Sequence, residues 1–387
     1  MLRGAWQTQS QSADGASEAS QLQEIPPETI TVAIFCALPH EVVAVKCSLD
    51  EEFPCRPKKV DPKNYMYSFG RIGSLRIVIA RFHSVGTVSA AHGATAVSHQ
   101  FPNVMFALLV GTGTGIPDPP KYDVRLGDIV VSVPQDNHPG VVQYDFGKYE
   151  DDGFVLKGSL NKPPPILLSA DGQLVEEEIM DRSPLESILQ HITNKLGISR
   201  PEIEDILFDQ NFAHMSQEKD CRKCEEMGGE KVAREARYYP VVHRGLVLSG
   251  SGIVRNSIDR ERLRRGYKAA LCFEMEAAGI MDEIPCLVIR GISDYADAHV
   301  QEGWHHYAAA VAAAYCKTIL CKVDSQKHMI LINLHTVDNL DEAFIDTSKF
   351  PIAETAHFGP YAVQHRVEFL DEWSNFELSS PTLYKKR

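Results

Sequence analysis

The sequence predicts an α/β fold, and three observations carry that expectation. Four apolar runs, TITVAIFCAL (29–38), SLRIVIARF (74–82), VMFALLV (104–110) and CLVIRGI (286–292), are nearly continuous, as in strands buried on both faces of a sheet. Stretches of helical character lie between them. An acidic residue, Asp294, follows the last run, just past the carboxyl end of a strand, where open α/β sheets bind ligands. With 387 residues, the chain is long enough for one large core plus extensions.

In order along the chain, residues 1–27 are polar and poor in large aliphatics, a composition expected to be disordered. Strand 29–38 runs into PHEVVAVKCSL (39–49), which reads as a helix and places Glu41 at a strand-to-helix turn. A negative charge is favourable there on dipole grounds alone. After strand 74–82 comes the turn HSVGT (83–87), where Ser84 and Gly86 are candidates to face a ligand, and then a small-residue helix over 88–99. Strand 104–110 leads into Gly111-Thr-Gly-Thr-Gly115. Glycines after a strand let backbone amides approach a ligand, or simply permit a tight turn. In VVQYDFGK (141–148), Tyr144 or Phe146 is a base-stacking candidate or plain core.

Residues 166–196 read as helices at the edge of the protein. The polar stretch 207–235 is an insertion containing His214, Cys221 and Cys224. Cys-x-x-Cys with a nearby His gives three ligands of a zinc site, with His243 a candidate fourth, though no second Cys-x-x-Cys completes the pattern. Strand and turn follow over 242–254 and a helix over 259–265. In CFEMEAAGIMDEIPCLVIRGISDYAD (272–297), a short helix over 277–282 precedes the strand 285–292. Glu276 opens that helix, so two acids, Glu276 and Asp294, are placed to hold a polar ligand between them; an N-terminal helix charge and a turn-forming Asp are the plainer alternative. GWHHYAAAVAAAYCKTILCK (303–322) reads as an Ala-rich helix packed on the sheet, with Trp304 at its start. Composition changes after 323, where the chain becomes polar, acidic and aromatic.

A formal net charge of −13 argues against a nucleic-acid backbone as partner, because such binding rests on Lys and Arg neutralising phosphates. No apolar run reaches the length of a membrane span. The nine cysteines are scattered, several of them in apolar segments, which reads as reduced thiols of a cytoplasmic protein rather than a disulfide framework. The nucleotide-binding pattern GxxxxGK[ST] is absent.

FEMEAAG (273–279) followed by VIRGISDYAD (288–297) resembles the C-terminal signature of the purine and uridine phosphorylase superfamily, which includes the nucleosidases. The resemblance covers 31–323 and is closest to the fungal nucleoside-phosphorylase-like domains at the front of NLR-type proteins; VVQYDFGK (141–148) and GSLNKPP (158–164) fit that subgroup. It implies a central mixed β-sheet flanked by helices, with a catalytic domain over 28–323 and an extension over 324–387 like the segment preceding a fungal NACHT module. It implies that Glu276 binds the ribose diol, that Asp294 protonates the purine, and that Glu41 helps hold the attacking water. Met275, Phe273, Gly113, Thr114, Gly115, Ser84 and Trp304 would line the nucleoside. Phosphorolytic members of the hexameric and uridine-phosphorylase type carry an Arg just before the Gly-rich segment, where this chain has Leu109 and Val110. The expected activity is therefore hydrolysis of a purine nucleoside or nucleotide, adenine preferred, without metal or organic cofactor, in a homo-oligomer. A phosphate-dependent phosphorylase and a non-catalytic nucleoside-sensing module are the alternatives.

Overall fold

The computed structural model describes residues 26–53, 65–151, 153–212, 214, 221–299 and 301–343. Of the segment expected to be disordered, 1–27, only residues 26 and 27 are described, and of the extension expected over 324–387 only 324–343. The chain divides into two compact units, Met1–Met329 and Ile330–Arg387, and the first contains the sheet.

The elements run β1 (Val32–Cys36), α1 (Pro39–Ser48), β2 (Glu51–Glu52), β3 (Tyr67–Ile72), β4 (Leu75–Arg81), α2 (Thr87–Gln100), β5 (Phe106–Gly115), β6 (Ile129–Val131) and β7 (Val141–Gln143). A small hairpin, β8 (Gly147–Glu150) with β9 (Gly153–Leu156), stands apart from the main sheet. The helices α3 (Pro165–Ile179) and α4 (Leu185–Leu196) follow, then the short α5 (Arg222–Glu226), β10 (Val242–Arg244), β11 (Leu246–Ser249), α6 (Ser257–Gly266), β12 (Ala270–Glu274), β13 (Cys286–Asp294) and α7 (Trp304–Ala343).

The main sheet is mixed, in the order β10-β6-β13-β5-β1-β4-β3-β2, with β12 joined to β5, and β11 to both β12 and β7. Its centre is parallel: β4, β1, β5 and β13 run side by side in one direction. These are the apolar runs of the sequence. Every residue of β1 is buried, as is every residue of β13 except Asp294, as two-sided coverage by helices requires. Gly291 lets α7 in close: a Cβ there would collide with the backbone of Ala308. The Ala-rich face of α7 supplies the matching small surface, with Ala308 to Ala314 all buried.

Two expected boundaries shift, and both matter for the site. The Gly-Thr-Gly-Thr-Gly segment is not a turn. It continues β5 to Gly115, because its backbone finds partners on two sides: Arg290–Ile292 and Asp294 of β13, and Cys272 and Phe273 of β12. Asp294 likewise ends β13 instead of lying beyond it, after a register irregularity between Ile292 and Asp294. The expected helix over 277–282 contracts to one 3-10 turn, Ala277–Gly279, and the helix expected over 303–322 extends to Ala343.

Candidate active site

The carboxyl ends of β1, β5 and β13 meet the end of β12 around a cavity of about 210 Å³. Its walls include Glu41 from α1, Thr112–Thr114 from β5, Phe273–Glu276 from the end of β12, and Ser293–Asp294 from β13. Parallel strands that end together leave such a crevice because their connections peel away to opposite faces.

The floor of the site is a buried charge cluster centred on Arg290, which is 1% exposed. Its guanidinium donates to Glu274 Oε2 at 2.5 Å, to Glu276 Oε2 at 2.9 Å and to the Thr112 carbonyl at 3.2 Å. A buried arginine has to be paired in this way, since its charge cannot be shed. Glu274 spends its carboxylate within the protein, also accepting from the amides of Glu276 and Ala277 at 3.0 to 3.1 Å. Glu276 keeps more capacity. Its Oε1 accepts from the Gly86 amide at 3.1 Å, so two of the roughly four lone-pair sites of a carboxylate remain for a ligand. Burial raises the Glu276 carboxyl above its usual range; the Arg290 charge opposes this, and neighbouring Glu274 reinforces it.

Glu41 is 1% exposed and accepts four hydrogen bonds. Oε2 takes the Ala37 and Leu38 amides at 2.9 and 2.8 Å; Oε1 takes the Thr112 amide at 2.8 Å and its hydroxyl at 3.1 Å. It thereby ties the end of β1 to the tail of β5. Gly111 permits the approach: a Cβ there would sit 2.5 Å from Glu41 Oε1 and 2.7 Å from Arg290 Nη1.

Asp294 is held lightly. The Ser293 hydroxyl donates to its Oδ2 at 3.2 Å and the Ala296 amide to its Oδ1 at 3.3 Å. Phe273 lies beside it in the wall and packs edge-to-face on Tyr144, with ring centroids 5.6 Å apart. Tyr144 is core: its hydroxyl donates to the Gly252 carbonyl at 2.6 Å, while Phe146 is exposed.

Of the residues picked from sequence, Glu41, Asp294, Glu276, Met275, Phe273, Gly113 and Thr114 are brought together on this cavity. Gly115, Ser84 and Trp304 are not among its lining residues. Gly115 is packed beneath Ile292 and Val124. Ser84 is exposed in the loop after β4, whereas its neighbour Val85 reaches the wall. Trp304 is 1% exposed, edge-on to Tyr307 and covered by the Arg200 guanidinium 5.1 Å from its ring. It is a core residue, and His305 is the neighbour that faces the cavity. Sequence reading passed over Arg290 and Glu274. An arginine inside CLVIRGI was the available signal, because a charge in a two-sided buried strand demands acidic partners nearby. His243, the candidate fourth zinc ligand, is engaged elsewhere, with Nε2 2.8 Å from Asp128 Oδ2.

The comparisons with known proteins agree with this architecture. Residues 31–321 match the phosphorylase superfamily. A nucleotide-binding leucine-rich repeat (NLR)-like protein of Hyaloscypha variabilis is 37% identical over 332 residues, covering 84% of this chain but 32% of that relative. The chain thus spans about a third of that relative's length. A shorter match, 33% identity over 78 residues (19% of this chain, 15% of the relative), is to the ATP nucleosidase Cap17 of Escherichia coli. Among solved structures, the 5'-methylthioadenosine/S-adenosylhomocysteine nucleosidase of Colwellia psychrerythraea, in complex with adenine, superposes with a TM-score of 0.50 at 18% identity, covering 76% of this chain and 96% of that one. By its sequence match and its mixed, helix-flanked sheet, the chain belongs to the phosphorylase superfamily.

Proposed function

We propose that this domain is an N-glycosidase that hydrolyses a purine nucleoside or nucleotide and releases the free base. The observation carrying this reading is the placement of Glu276 and Asp294, from two different elements, on one cavity whose floor is the Arg290 cluster. The ATP nucleosidase activity named for the Escherichia coli relative supports it.

In this reading Glu276 accepts hydrogen bonds from the ribose 2′- and 3′-hydroxyls with its remaining lone pairs, while Asp294 passes a proton to N7 of the leaving purine. Positive charge then grows on the ribose. Glu41, Glu274 and Glu276 face the single cation Arg290, so the ionised cluster is negative overall, the sign that stabilises such a transition state. Water attacks the anomeric carbon beside Thr112 and Glu41 as the glycosidic electron pair leaves with the purine; the proton the water sheds passes to Glu41, and exchange with solvent returns a proton to Asp294. All four Glu41 bonds are used within the protein, so for Glu41 to hold that water the longest of them, to the Thr112 hydroxyl at 3.1 Å, must be exchanged.

Hydrolysis is favoured over phosphorolysis because this chain has Leu109 and Val110 where phosphorolytic members of the superfamily carry an arginine before the Gly-rich segment. Leu109 and Val110 are buried core, and Arg290 is neutralised by Glu274 and Glu276. The other arginine lining the cavity is Arg255, exposed in the loop after β11 and suited to a 5′-phosphate of the substrate. Base release measured by chromatography on adenosine, inosine, guanosine, ATP and GTP, with and without inorganic phosphate, tests the reading. Cleavage without phosphate is expected, with ribose or a ribose phosphate ester as coproduct; ribose 1-phosphate formed only in phosphate buffer overturns the hydrolase assignment.

The same panel tests a preference for adenine. A protonated carboxyl can donate to N7 and accept from the 6-amino group with its other oxygen, whereas a 6-oxo group sets one lone pair against another. An unpaired buried polar group costs about 1–3 kcal/mol, so discrimination of up to about a hundredfold in kcat/KM is expected. Equal or higher values for 6-oxopurines defeat the preference alone.

The rate should also depend on the ionisation of Glu276, whose carboxyl burial pushes above the usual glutamate range. Binding of the diol and stabilisation of the cationic ribose both need the carboxylate. As pH falls through that raised value, kcat/KM is expected to decline before an ordinary glutamate would protonate. An acid limb at or below the usual glutamate range would remove Glu276 from the rate-controlling ionisations. The similarity to an NLR-like protein supports an effector role for this domain in such an architecture.

A further inference from the structure

Outside the cavity, the structure draws together His214, Cys221, Cys224 and His299, one ligand atom from each lying within 4.8 Å of the others. We propose that these four residues bind one structural zinc ion, which ties the 207–235 insertion to the segment immediately after β13. The inference does not depend on the nucleosidase reading.

The geometry is that of a tetrahedral site. With Zn–S about 2.3 Å and Zn–N about 2.0–2.1 Å, the edges of a Cys₂His₂ tetrahedron are about 3.3 Å between nitrogens, about 3.5 Å from nitrogen to sulfur and about 3.8 Å between sulfurs. The corresponding separations are 3.5 Å between His214 Nδ1 and His299 Nδ1, 3.3 Å from Cys224 Sγ to His214 Nδ1, 3.8 Å from Cys221 Sγ to His299 Nδ1 and 4.0 Å from Cys221 Sγ to His214 Nδ1. These four separations lie within about 0.5 Å of the ideal edges, and no two of the ligand atoms are more than 4.8 Å apart.

A second observation concerns the tautomer. His299 is 4% exposed, and its Nε2 lies 3.2 Å from the Phe212 carbonyl, which can only accept. Nε2 therefore carries the proton, and Nδ1 turns a lone pair toward the two sulfurs and the other imidazole. Metal-ligating histidines are characteristically oriented by such a bond from the second ring nitrogen. The surroundings are dry. Phe208 and Phe212 stack on the His299 ring with centroids 4.3 and 5.6 Å away, and Cys224 is fully buried. Soft sulfur with imidazole in a closed, apolar, four-ligand setting selects zinc over oxygen-seeking cations.

Zinc here would reinforce a junction made by other bonds. Gln301 exchanges two hydrogen bonds with the Ile206 backbone at 2.6 and 3.0 Å. Tyr295 bonds Asp205 and accepts from Arg234 at 3.1 Å. His299 lies five residues beyond Asp294, so the ion would anchor the backbone that leaves the candidate catalytic strand. Cys224 and His299 are 75 residues apart in sequence, and closing such a loop through metal constrains the unfolded chain.

The test is elemental analysis of the full chain purified under reducing conditions without chelator or metal-affinity resin, together with Co(II) uptake by metal-stripped protein. About one zinc per chain is expected, with intense Co(II) ligand-field bands of a tetrahedral thiolate site. Cys224→Ser and His299→Ala should each lose the metal, whereas His243→Ala should keep it. Stripping the wild-type chain should lower its Tm and expose Cys221 and Cys224 to alkylation. Wild-type protein with no stoichiometric zinc and no tetrahedral Co(II) spectrum overturns the proposal, whatever the variants do. So does zinc retained in full by the folded Cys224→Ser and His299→Ala proteins.

Discussion

Replacing Arg290 by methionine is expected to destabilise the protein by about 3–5 kcal/mol, the usual consequence of removing one partner from a buried ion pair. Arg290 bonds Glu274 and Glu276 at once, and all three side chains are at most 4% exposed. Without the guanidinium, two carboxylates face each other in a low-dielectric interior with no cation between them. One would have to take up a proton, and the Thr112 carbonyl would also lose a donor. Methionine fills much of the volume, so the loss reports charge and hydrogen bonding more than a cavity. Urea unfolding at neutral pH measures the effect. The deficit should shrink as pH falls, because protonating the stranded carboxylates removes their repulsion. A neutral-pH change below about 1 kcal/mol would show that the cluster contributes specificity without stability, an outcome known for some buried pairs.

The same cluster marks the limit of what the sequence could reveal. β1 and the core of β13 were legible because an uninterrupted apolar run has one low-energy fate in a domain of this size, burial on both faces. Glu276 and Asp294 were legible because acids at the edge of such a run are conspicuous. The partnership of Arg290 with Glu274, Glu276 and Thr112 was not, since it joins strands whose adjacency only the folded sheet defines. The Gly111–Gly115 segment left two readings open in sequence, backbone approaching a ligand or a tight turn; hydrogen-bond partners on β12 and β13 extend it as strand, and Gly113 and Thr114 line the cavity. Trp304 and His305 exchange places because helical phase, which decides which neighbour faces the cavity, is not fixed by an Ala-rich sequence. The fourth residue of the Cys/His cluster was missed because His299 lies 75 residues beyond Cys224. Spacing arguments reach only neighbours in sequence, and His243, the nearer candidate, is already bound to Asp128.

Replacing Asp294 by asparagine is expected to lower kcat on an adenine nucleoside or nucleotide by about 10²–10⁴, the range for a positioned general acid. The fold should survive. Among the described residues the carboxylate makes two long hydrogen bonds, to the Ser293 hydroxyl at 3.2 Å and the Ala296 amide at 3.3 Å, and an asparagine carbonyl can keep either. KM should move little, because the amide can still donate a hydrogen bond to N7 even though it cannot give up a proton. Glu276→Gln makes a contrasting companion. It too should cost a large factor in kcat, through loss of negative charge beside the cationic ribose. It should also raise KM, since an amide oxygen cannot accept from both diol hydroxyls while its NH₂ faces the Arg290 guanidinium. The two variants therefore separate proton donation from charge stabilisation and diol binding: one acts on kcat alone, the other on kcat and KM. Comparing circular dichroism and Tm with wild type guards against unfolding as the cause. Wild-type turnover in both folded variants would remove the chemistry from this cavity. An Asp294→Asn protein with normal kcat but raised KM would make Asp294 a purine-binding group and leave protonation of the leaving base to another residue or to water.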